Sequence, residues 1–416
     1  MDVETLLGEL RKPETLTILG RALETHLKDG ARTLVYPMPY ADAIGHLAPE
    51  PHYLASLYGP EYDRIVLLTP PRAVPTMKRP LYDLLARDFG MAETQHTPLL
   101  LLRDLDRGIV RMGPFDLCLV HTHKFYRAYT QHRAARKPLV HLKLDDEMRA
   151  AGERWLAGIG LEPGSPYVTL HMREEGYAHD AGSAPYGKLR TVDPANFRPA
   201  VDWLVEAGYT VFRLGGENSD PFTHPSGKMI DLAHDPRAED FLDIYLMATC
   251  SFSLNCQSGP EALARAFGRP SVNTNLLPTV MSHHLGSDLF LFKPLYRGDS
   301  ATPLSYAEQF EFMLPNRLVS GPLPDQDWYA EHGFRAEDCS ADDVLAAVQE
   351  MHARLGGGNA PDDGANARFV AMSKSYEDQI RDNEIARFQG NDVYAYAHNI
   401  GTLSANWAGL NPWFLA

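Results

Sequence analysis

The stretch from Ser253 to Thr274, SLNCQSGPEALARAFGRPSVNT, constrains the fold more than any other part of the chain. It predicts a buried strand, a tight turn at Ser258-Gly259, a short helix and a second strand. Pro260 suits a helix start because its missing N–H would have no partner there, and Gly268 is typical of a helix end. Two strands joined through a helix pair in parallel, so the stretch predicts a parallel sheet covered by helices.

The same alternation of strands and helices runs through both halves of the chain. In the first half, apolar runs predict strands at residues 33–36, 64–68, 99–102 and 115–120. In the second half, they predict strands at residues 167–171, 210–214, 252–255 and 289–292. Helical periodicity between the strands completes an α/β pattern. With 416 residues, the chain is long enough for two such domains, each with its own core.

Two segments of turn-forming composition suggest where the domains divide. EPGSP at residues 162–166 separates the two strand series, and GGGNAPDDGAN at residues 356–366 resembles a linker. We therefore predict an N-terminal domain at 1–150, a C-terminal domain at 151–355 and an extension at 356–416. The extension has helical periodicity and carries aromatic residues that predict docking, namely Tyr394, Tyr396, Trp407 and Trp413.

Composition excludes several classes of protein. The formal net charge of −15, without clustered Lys and Arg, argues against a nucleic-acid-binding protein. No run reaches the roughly 18 apolar residues of a membrane span, and the acidic N-terminus does not resemble a signal peptide. Peripheral contact with an inner membrane stays open. A reducing, cytoplasmic location is indicated by four scattered cysteines without a CxxC pair, Cys118, Cys250, Cys256 and Cys339.

Three polar loops follow predicted strands of the second half, namely HMREEGY, RLGGENSDP and the turn from Asn255 to Gly259. In a parallel sheet these loops meet at one edge, where ligands bind. A helix start after Ser258 presents free backbone N–H groups that suit a phosphate or diphosphate, although an ordinary βαβ turn uses the same residues. The candidate binding residues are Arg173, Gly215, Gly216, Glu217, Asn218, Asn255, Ser258, Gly259 and Glu261.

Arg173 is notable because it directly follows a buried strand. A guanidinium there needs an anionic partner, and its planar fork fits a diphosphate. The alternative is a structural ion pair with Glu174 or Asp193. RLGGEN does not match the GxGxxG fingerprint and the chain has no GxxxxGK[ST] loop, which argues against nicotinamide cofactors and ATP hydrolysis.

The first half contributes two further groups of candidate residues. The loop from Asp42 to His46 precedes a helix, and His46 is either a general base or a packed histidine. His121 and His123 follow a strand, where their imidazoles would share one face and contact a substrate or a metal. Because no third ligand accompanies this HxH pair at a suitable spacing, we predict no metal site.

Several of these segments together resemble a family of bacterial glycosyltransferases with the GT-B fold, over most of the chain. They are IGHLAPEPHYL, YVTLHMREEGY, NFRPAVDWLVEAGYTVFRLGG, MIDLA and DFLDIYLMATCSFSLNCQSGPEALARAFGRPSVNTN. His171-Met172-Arg173 also resembles the HxR motif of O-fucosyltransferase-like enzymes. SGPEALARAFGRP resembles the donor-diphosphate loop of heptosyltransferases and sugar-nucleotide 2-epimerases. After HxR, fucosyltransferases usually continue with Gly-Asp whereas this chain has Glu-Glu-Gly, which argues against fucose as the sugar.

The resemblance implies two Rossmann-like domains whose parallel sheets face each other across a cleft, with the C-terminal helical extension docking back on the N-terminal domain. It implies a metal-independent hexosyl- or deoxyhexosyltransferase of cell-surface glycan biosynthesis. The nucleotide sugar would be a co-substrate, with no other cofactor. The acceptor would be a glycan, a lipid-linked compound or a protein.

The resemblance also implies a division of roles among the candidate residues. Arg173 and the loop at Ser258 would hold the diphosphate, with Glu217, Asn218 and Asn255 around the nucleoside. Asp42 or His46 would orient or deprotonate the acceptor hydroxyl, and His121 and His123 would contact the acceptor. Two alternatives remain, a sugar-nucleotide epimerase of the same fold and a catalytically silent sugar-binding protein.

Overall fold

The computed structural model describes residues 3–162, 164–174, 189–216, 218–278, 284–314, 326–356, 364–382 and 395–416. The chain divides into two compact units, Met1–Asp146 and Glu147–Ala416. Each unit contains a mainly parallel sheet with helices in the connections. The predicted α/β class with two sheet-bearing domains is therefore confirmed.

The first unit is built on a five-stranded sheet with the order β3-β2-β1-β5-β4. All neighbouring strands pair in parallel except β4, which runs antiparallel to β5. The strands are β1 Thr33–Pro37, β2 Arg64–Thr69, β3 Gly90–Glu93, β4 Gly108–Arg111 and β5 Asp116–Leu119. The helices are α1 Val3–Leu10, α2 Pro13–Leu23, α3 Ile44–Leu47, α4 Pro49–Tyr58, α5 Arg79–Leu85, α6 Thr97–Leu100 and α7 Thr122–Ala134.

The second unit is built on a seven-stranded parallel sheet with the order β14-β11-β10-β9-β6-β7-β8, plus an antiparallel pair, β12 and β13. The strands are β6 Tyr167–His171, β7 Thr210–Leu214, β8 Met229–Asp231, β9 Phe252–Cys256, β10 Ser271–Leu276, β11 Leu289–Phe292, β12 Leu295–Arg297, β13 Phe334–Ala336 and β14 Thr402–Leu403. The helices are α8 Asp146–Gly158, α9 Arg198–Glu206, α10 Leu242–Thr249, α11 Glu261–Ala266, α12 Tyr306–Met313, α13 Gln326–Glu331, α14 Ala341–Leu355, α15 Ala365–Asp382 and α16 Ala405–Leu410.

The central strands of the second sheet are buried on both faces. Every residue of β6, β7, β9 and β10 is buried. Their apolar side chains join one core with those of α9 and α14. This burial is the reason that the strands appear in the sequence as short continuous apolar runs. Gly268 ends the turn after α11 with φ of +70°, a conformation that favours glycine.

One predicted strand is wrong. The leucine run at residues 99–102 forms the end of α6 and the start of a 3₁₀ helix, Leu101–Leu105. Pro98 lies in the first turn of α6, where its fixed φ favours a helix. A short apolar run fits a strand and a buried helix equally well, so periodicity alone does not separate them.

The described residues of the C-terminal extension, 364–382 and 395–416, belong to the second unit and contribute to its core. The docking on the N-terminal domain stays a prediction. β14 extends the second sheet by pairing with β11, and Trp407 and Phe414 pack their rings against Phe292. Tyr396, Trp407 and Trp413 therefore pack in this core, at the sheet edge that β11 would otherwise leave open, whereas Tyr394 lies outside the described residues.

No helix within the described ranges is long and apolar enough to cross a membrane. All four cysteines are buried free thiols.

Candidate functional site

Strand order identifies one crevice at the edge of each sheet. In the second sheet, β6 lies next to β7 and then β8, whereas β9, β10 and β11 continue on its other side. The winding therefore reverses between β6 and β9. In the first sheet it reverses between β1 and β5. Ligands of open α/β sheets bind at this switch point, outside the carboxyl ends of the two strands.

Arg173 lies at the switch point of the second sheet, two residues beyond the end of β6. Its residue surface is 5% exposed. The main chain is held on both sides, because its N–H donates to Cys256 Sγ at 3.1 Å and its C=O accepts from the Val192 N–H at 2.9 Å. The guanidinium is thus carried by a fixed backbone next to β9.

The acids that the sequence suggested as structural partners of Arg173 have other contacts. Glu174 accepts a hydrogen bond from Arg213, a buried arginine that also donates to Asp231 Oδ2 at 2.6 Å. Asp193 caps a short 3₁₀ helix by accepting from the Ala195 N–H at 2.9 Å. Glu174 and Asp231 therefore form a structural ion-pair group with Arg213.

His171, the last residue of β6, is a buried neutral imidazole. Its Nδ1 lies 3.2 Å from the Leu214 carbonyl oxygen, which can only accept, so Nδ1 carries the proton. Burial, with a smaller effect of the positive charges of Arg173 and Arg213, lowers the pKa of His171 to about 4, although the hydrogen bond to the Leu214 carbonyl opposes this shift. Nε2 is a buried lone pair with no hydrogen-bond partner among the described residues.

Three side chains along β9 and in the turn after it also have a buried polar atom without a hydrogen-bond partner among the described residues. Asn255 pairs with His171 in the register of β6 and β9, so the two side chains share one face of the sheet. Its Oδ1 accepts from Ser253, but its buried Nδ2 has no partner within the described residues. Gln257 Oε1 and Ser258 Oγ likewise have no hydrogen-bond partner within the described residues, and Ser258 is only 5% exposed. Buried polar atoms are rarely left in this state without a ligand or water.

The helix start after this turn offers fewer free backbone N–H groups than predicted. α11 has six residues, and the N–H groups of residues 261–263 donate to the carbonyls of residues 258–260 at 3.0–3.3 Å. Those amides are therefore used within the turn and do not face a ligand. Glu261 accepts from Arg265 at 2.9 Å, and burial raises the pKa of Glu261 despite that partner. The expected row of free amides after Ser258 is wrong for these three groups.

The loop after β7 is open. Gly215 and Gly216 are exposed, and a Cβ built on Gly216 would meet no atom within 4 Å. Ser219 closes the turn by donating its hydroxyl to the Gly216 carbonyl at 2.7 Å. Asn218 is exposed, and Glu217 lies outside the described residues. The two glycines are thus not required by packing within the chain.

At the switch point of the first sheet, His46 belongs to a chain of polar contacts. His46 Nδ1 lies 2.7 Å from Glu50 Oε1, and Arg103 Nη1 donates to Glu50 Oε2 at 2.9 Å. Tyr126 donates its hydroxyl to Glu50 Oε1 at 3.1 Å, and Tyr36 accepts from Arg103 Nη1 at 2.9 Å. Glu50 and Arg103 are buried, while the His46 side chain is 32% exposed. His46 therefore lies at the solvent-exposed end of this series of polar contacts.

Burial raises the pKa of Glu50, but the charge of Arg103 and the hydrogen bonds from His46 and Tyr126 outweigh it, so the net shift is downward. Glu50 is therefore an ionised carboxylate in the core of the first unit. A buried carboxylate is tolerated only when it is paired and hydrogen-bonded in this way.

The other predicted residues of the first unit are less organised. Asp42 is partly buried and accepts from the Thr76 hydroxyl at 3.0 Å. His121 directly precedes α7, and its Nε2 lies 4.0 Å from Asp104 Oδ1. His123 is in α7, and its side chain lies outside the described part of the structure. α7 begins at Thr122, directly after His121, so the two histidines do not continue β5. The shared face of their imidazoles stays a prediction.

Sequence reasoning missed Glu50 and Arg103. Glu50 lies four residues after His46, a spacing at which helical side chains meet. Arg103 stands out as a charge within the apolar run LLLLRDL. Both signals are present in the sequence, but the contact between the two residues spans 53 positions and depends on the fold.

A pocket of about 610 Å³ opens at the carboxyl ends of β1, β2 and β3. Tyr40 lines this pocket, and its ring centroid is 5.2 Å from that of His46. The other lining residues are mainly apolar and include Pro39, Pro70, Pro71, Val74 and Leu101. The pocket therefore offers an apolar surface beside the exposed imidazole.

No group of three or more His, Cys, Asp or Glu residues within the described ranges is placed to hold a metal ion.

The buried imidazole of His171 predicts a specific acid sensitivity. Its pKa of about 4 in the folded protein lies below the ordinary 6.5, so the unfolded chain takes up the proton first as the pH falls. The neutral imidazole makes its full contribution to the free energy of unfolding above pH 6.5, and this contribution is lost as the pH falls towards 4. From pH 7.5 to 5 this loss is about 2 kcal/mol. Urea denaturation at both pH values measures the free energy of unfolding. Between pH 7.5 and 5 this free energy should fall by about 2 kcal/mol less in His171→Asn than in the wild type. Equal decreases in the two proteins would contradict the assignment.

Comparison with known proteins gave structural similarities only. No family model matches the sequence, and no curated protein matches it. Escherichia coli ADP-heptose lipopolysaccharide heptosyltransferase II is 14% identical, with 62% of this chain and 90% of that chain covered and a TM-score of 0.38. A family 9 glycosyltransferase from Veillonella parvula is 11% identical, with coverages of 78% and 98% and a TM-score of 0.40.

A third similar structure is the dodecameric iron-containing heptosyltransferase TibC in complex with ADP-D-β-D-heptose. It is 13% identical, with 79% of this chain and 78% of that chain covered and a TM-score of 0.38. All three of these structures are of glycosyltransferases.

Proposed function

We propose that this chain is a glycosyltransferase that moves a sugar from a nucleoside-diphosphate donor to a hydroxyl acceptor. The observation that carries the proposal is the set of buried polar groups at the switch point of the second sheet. His171 Nε2, Asn255 Nδ2 and Ser258 Oγ have no partner among the described residues, and Arg173 lies beside them. A cation next to neutral hydrogen-bonding groups suits a ligand with a diphosphate and hydroxyls.

Arg173 would act on the leaving group. When the bond between the anomeric carbon and the diphosphate breaks, negative charge accumulates on the diphosphate oxygens. A fixed guanidinium in a site shielded from water stabilises this charge without reorganising. In this proposal the arginine takes the part that a metal ion plays in other transferases, so the reaction is metal-independent. The nucleotide sugar is a co-substrate, and no other cofactor is proposed.

The neutral groups would recognise the rest of the donor. The His171 lone pair requires a hydroxyl or an N–H donor, and the amide of Asn255 requires an acceptor. A ribose, a base edge or a sugar offers both. Gly215 and Gly216 leave room for a close approach of the ligand to the backbone, and we retain Glu217 and Asn218 as candidates at the nucleoside.

The acceptor would bind to the first unit. Asp42 or His46 would act on its hydroxyl, and His121 and His123 would contact it. The apolar pocket beside Tyr40 suits an acceptor with an apolar part, such as a lipid-linked sugar, whereas a glycan or a protein would use the polar groups. For a bacterial protein, these acceptors are consistent with cell-surface glycan synthesis on the cytoplasmic side of the membrane.

Two other functions fit the same donor site. A sugar-nucleotide epimerase would need the diphosphate site but no acceptor, and it would convert the donor alone into an isomer. A catalytically silent sugar-binding protein would bind the nucleotide and leave it intact. The organised His46 contacts favour an enzyme with a proton-accepting group in the first unit.

Calorimetric titration tests the donor site. UDP, GDP, ADP and dTDP, each with and without a hexose, are titrated into the full-length protein. We expect one nucleoside diphosphate to bind with a dissociation constant in the micromolar range, about −8 kcal/mol, and the others at least about tenfold more weakly. Absence of binding across the panel would contradict the proposed function.

A further inference from the structure

We infer that His46, rather than Asp42, is the general base of the proposed transfer, and that Glu50 and Arg103 are its positioning residues. This inference rests on the proposed function for the identity of the reaction. The arrangement of the three side chains is independent of it.

Glu50 orients the imidazole. Its Oε1 lies 2.7 Å from His46 Nδ1, across one turn from α3 into α4. Glu50 itself is fully buried and held by Tyr126 and Arg103 at 3.1 and 2.9 Å, so it cannot follow a moving imidazole. The exposed ring of His46 is therefore anchored through Nδ1 to a fixed point in the core.

The charge on Glu50 determines which ring nitrogen carries the proton. An ionised carboxylate only accepts hydrogen bonds, so His46 Nδ1 must donate. In the neutral imidazole, Nε2 then has the lone pair. A histidine with Nδ1–H held by a buried carboxylate and a free Nε2 lone pair is the arrangement of general bases in acyl-transfer enzymes.

Arg103 keeps Glu50 in the required state. It is 1% exposed and donates to Glu50 Oε2, and its guanidinium lies 5.3 Å from the centroid of the Tyr40 ring, next to His46. Without this cation, a carboxylate fully removed from water would take up a proton. A protonated Glu50 could donate to Nδ1 and reverse the tautomer, which would leave Nε2 unable to accept.

Asp42 lacks such support. Its Oδ2 accepts from the hydroxyl of Thr76, which is the hydrogen bond that the structure gives it. No buried ion pair among the described residues holds this partly buried carboxylate in place. It is thus suited to binding an acceptor hydroxyl by a hydrogen bond.

The proposed step is balanced. His46 Nε2 takes the proton of the acceptor hydroxyl while the acceptor oxygen forms a bond to the anomeric carbon. The bond from that carbon to the diphosphate oxygen breaks, and its electron pair leaves with the diphosphate. The imidazolium is stabilised by Glu50 and later returns the proton to solvent.

Tautomer measurement tests the inference directly. In full-length protein labelled with ¹⁵N-histidine, long-range ¹H–¹⁵N spectra identify the protonated nitrogen of each imidazole. The His46 signals are assigned by their loss in His46→Asn. We expect Nδ1–H and an unprotonated Nε2 at pH 8, and loss of this bias in the charge-free double variant Glu50→Gln/Arg103→Met. A wild-type His46 with Nε2–H would overturn the inference, whatever the protein's activity is.

Turnover tests the role in catalysis. Release of nucleoside diphosphate from UDP-, GDP- and ADP-hexoses is measured with water as acceptor. In His46→Asn we expect kcat to fall by about 100-fold or more with KM for the donor within about twofold. Glu50→Gln should lower kcat in the same direction, whereas His132→Gln, a partly exposed histidine bonded to the Pro138 carbonyl, should match the wild type. An unchanged kcat in His46→Asn would also overturn the inference.

The two readouts separate failures. If the tautomer is as expected but no nucleotide sugar is consumed, the dyad stands and the proposed function fails. If donors are consumed equally by the wild type and His46→Asn, the function stands and His46 is not its base.

Discussion

Arg173→Ala should weaken the binding of the preferred nucleoside diphosphate by about 100-fold. Hydrogen bonds to charged groups contribute roughly 1.5–3 kcal/mol each, and a guanidinium can make two to a diphosphate. A loss of about 3 kcal/mol corresponds to that factor in the dissociation constant. The main chain of Arg173 is fixed to Cys256 and Val192, so the backbone of the site should stay in place in the variant. Calorimetric titration of the variant measures the effect.

Two matched variants make the result specific. Arg173→Lys keeps the charge but loses the planar fork, so its affinity should lie between those of the wild type and the alanine variant. Arg335→Ala removes an exposed arginine from β13 and therefore one positive charge, as Arg173→Ala does. This variant should bind the nucleoside diphosphate as the wild type does. Unchanged affinity in Arg173→Ala, with every nucleoside diphosphate of the panel, would exclude the diphosphate role.

Arg103→Met should destabilise the first unit by about 3–5 kcal/mol. Removing one partner of a buried ion pair leaves the other as an uncompensated charge, and Glu50 is fully buried. Glu50→Gln should cost a similar amount for the same reason. The double variant Glu50→Gln/Arg103→Met should cost less than the sum of the two, because neither charge is left alone.

Hydrogen exchange during urea unfolding measures this effect in the first unit separately from the second. The matched control is the surface pair of Arg72 and Asp83, whose side chains are 44% and 52% exposed. Arg72→Met should leave the stability of the first unit close to that of the wild type, because this pair is exposed to solvent. Additive losses at Glu50 and Arg103 would show that the pair is not coupled.

Local patterns were sufficient for most of the fold. Strands β6, β7, β9, β10 and β11 of the second unit follow from apolar runs, because fully buried strands leave continuous apolar segments. The turn chemistry around Gly268 is equally local. The strand predicted at residues 99–102 was wrong, because a run of four apolar residues fits a strand and a buried helix equally well.

The site was predictable in part. Arg173 follows β6, Asn255 lies near the end of β9 and Ser258 follows β9. These strands pair in parallel, and parallel strands bring their carboxyl ends to one edge. Their convergence on the switch point between β6 and β9 depends on strand order, which is not a local property. The use of the amides of residues 261–263 within the turn also became visible only in the structure.

The contacts of His46 and of the C-terminal extension illustrate the same limit. Local sequence places Glu50 one helical turn from His46, but Arg103 arrives from 53 residues away. The aromatic residues of the extension indicate packing without specifying the surface. That surface is set by β14, which has two residues and no distinctive pattern.

Transfer of a labelled sugar is the most direct test of the central claim. The nucleotide sugar selected by the binding panel, ¹⁴C-labelled in the hexose, is incubated with the full-length protein and with glycan, lipid-linked and protein acceptors in separate reactions, with and without a chelator. We predict that label moves to one acceptor with equimolar release of nucleoside diphosphate, that the chelator has no effect, and that Arg173→Ala abolishes both products. Label that remains on the nucleotide in all reactions, or that appears in an isomeric nucleotide sugar without acceptor, would contradict the assignment as a glycosyltransferase.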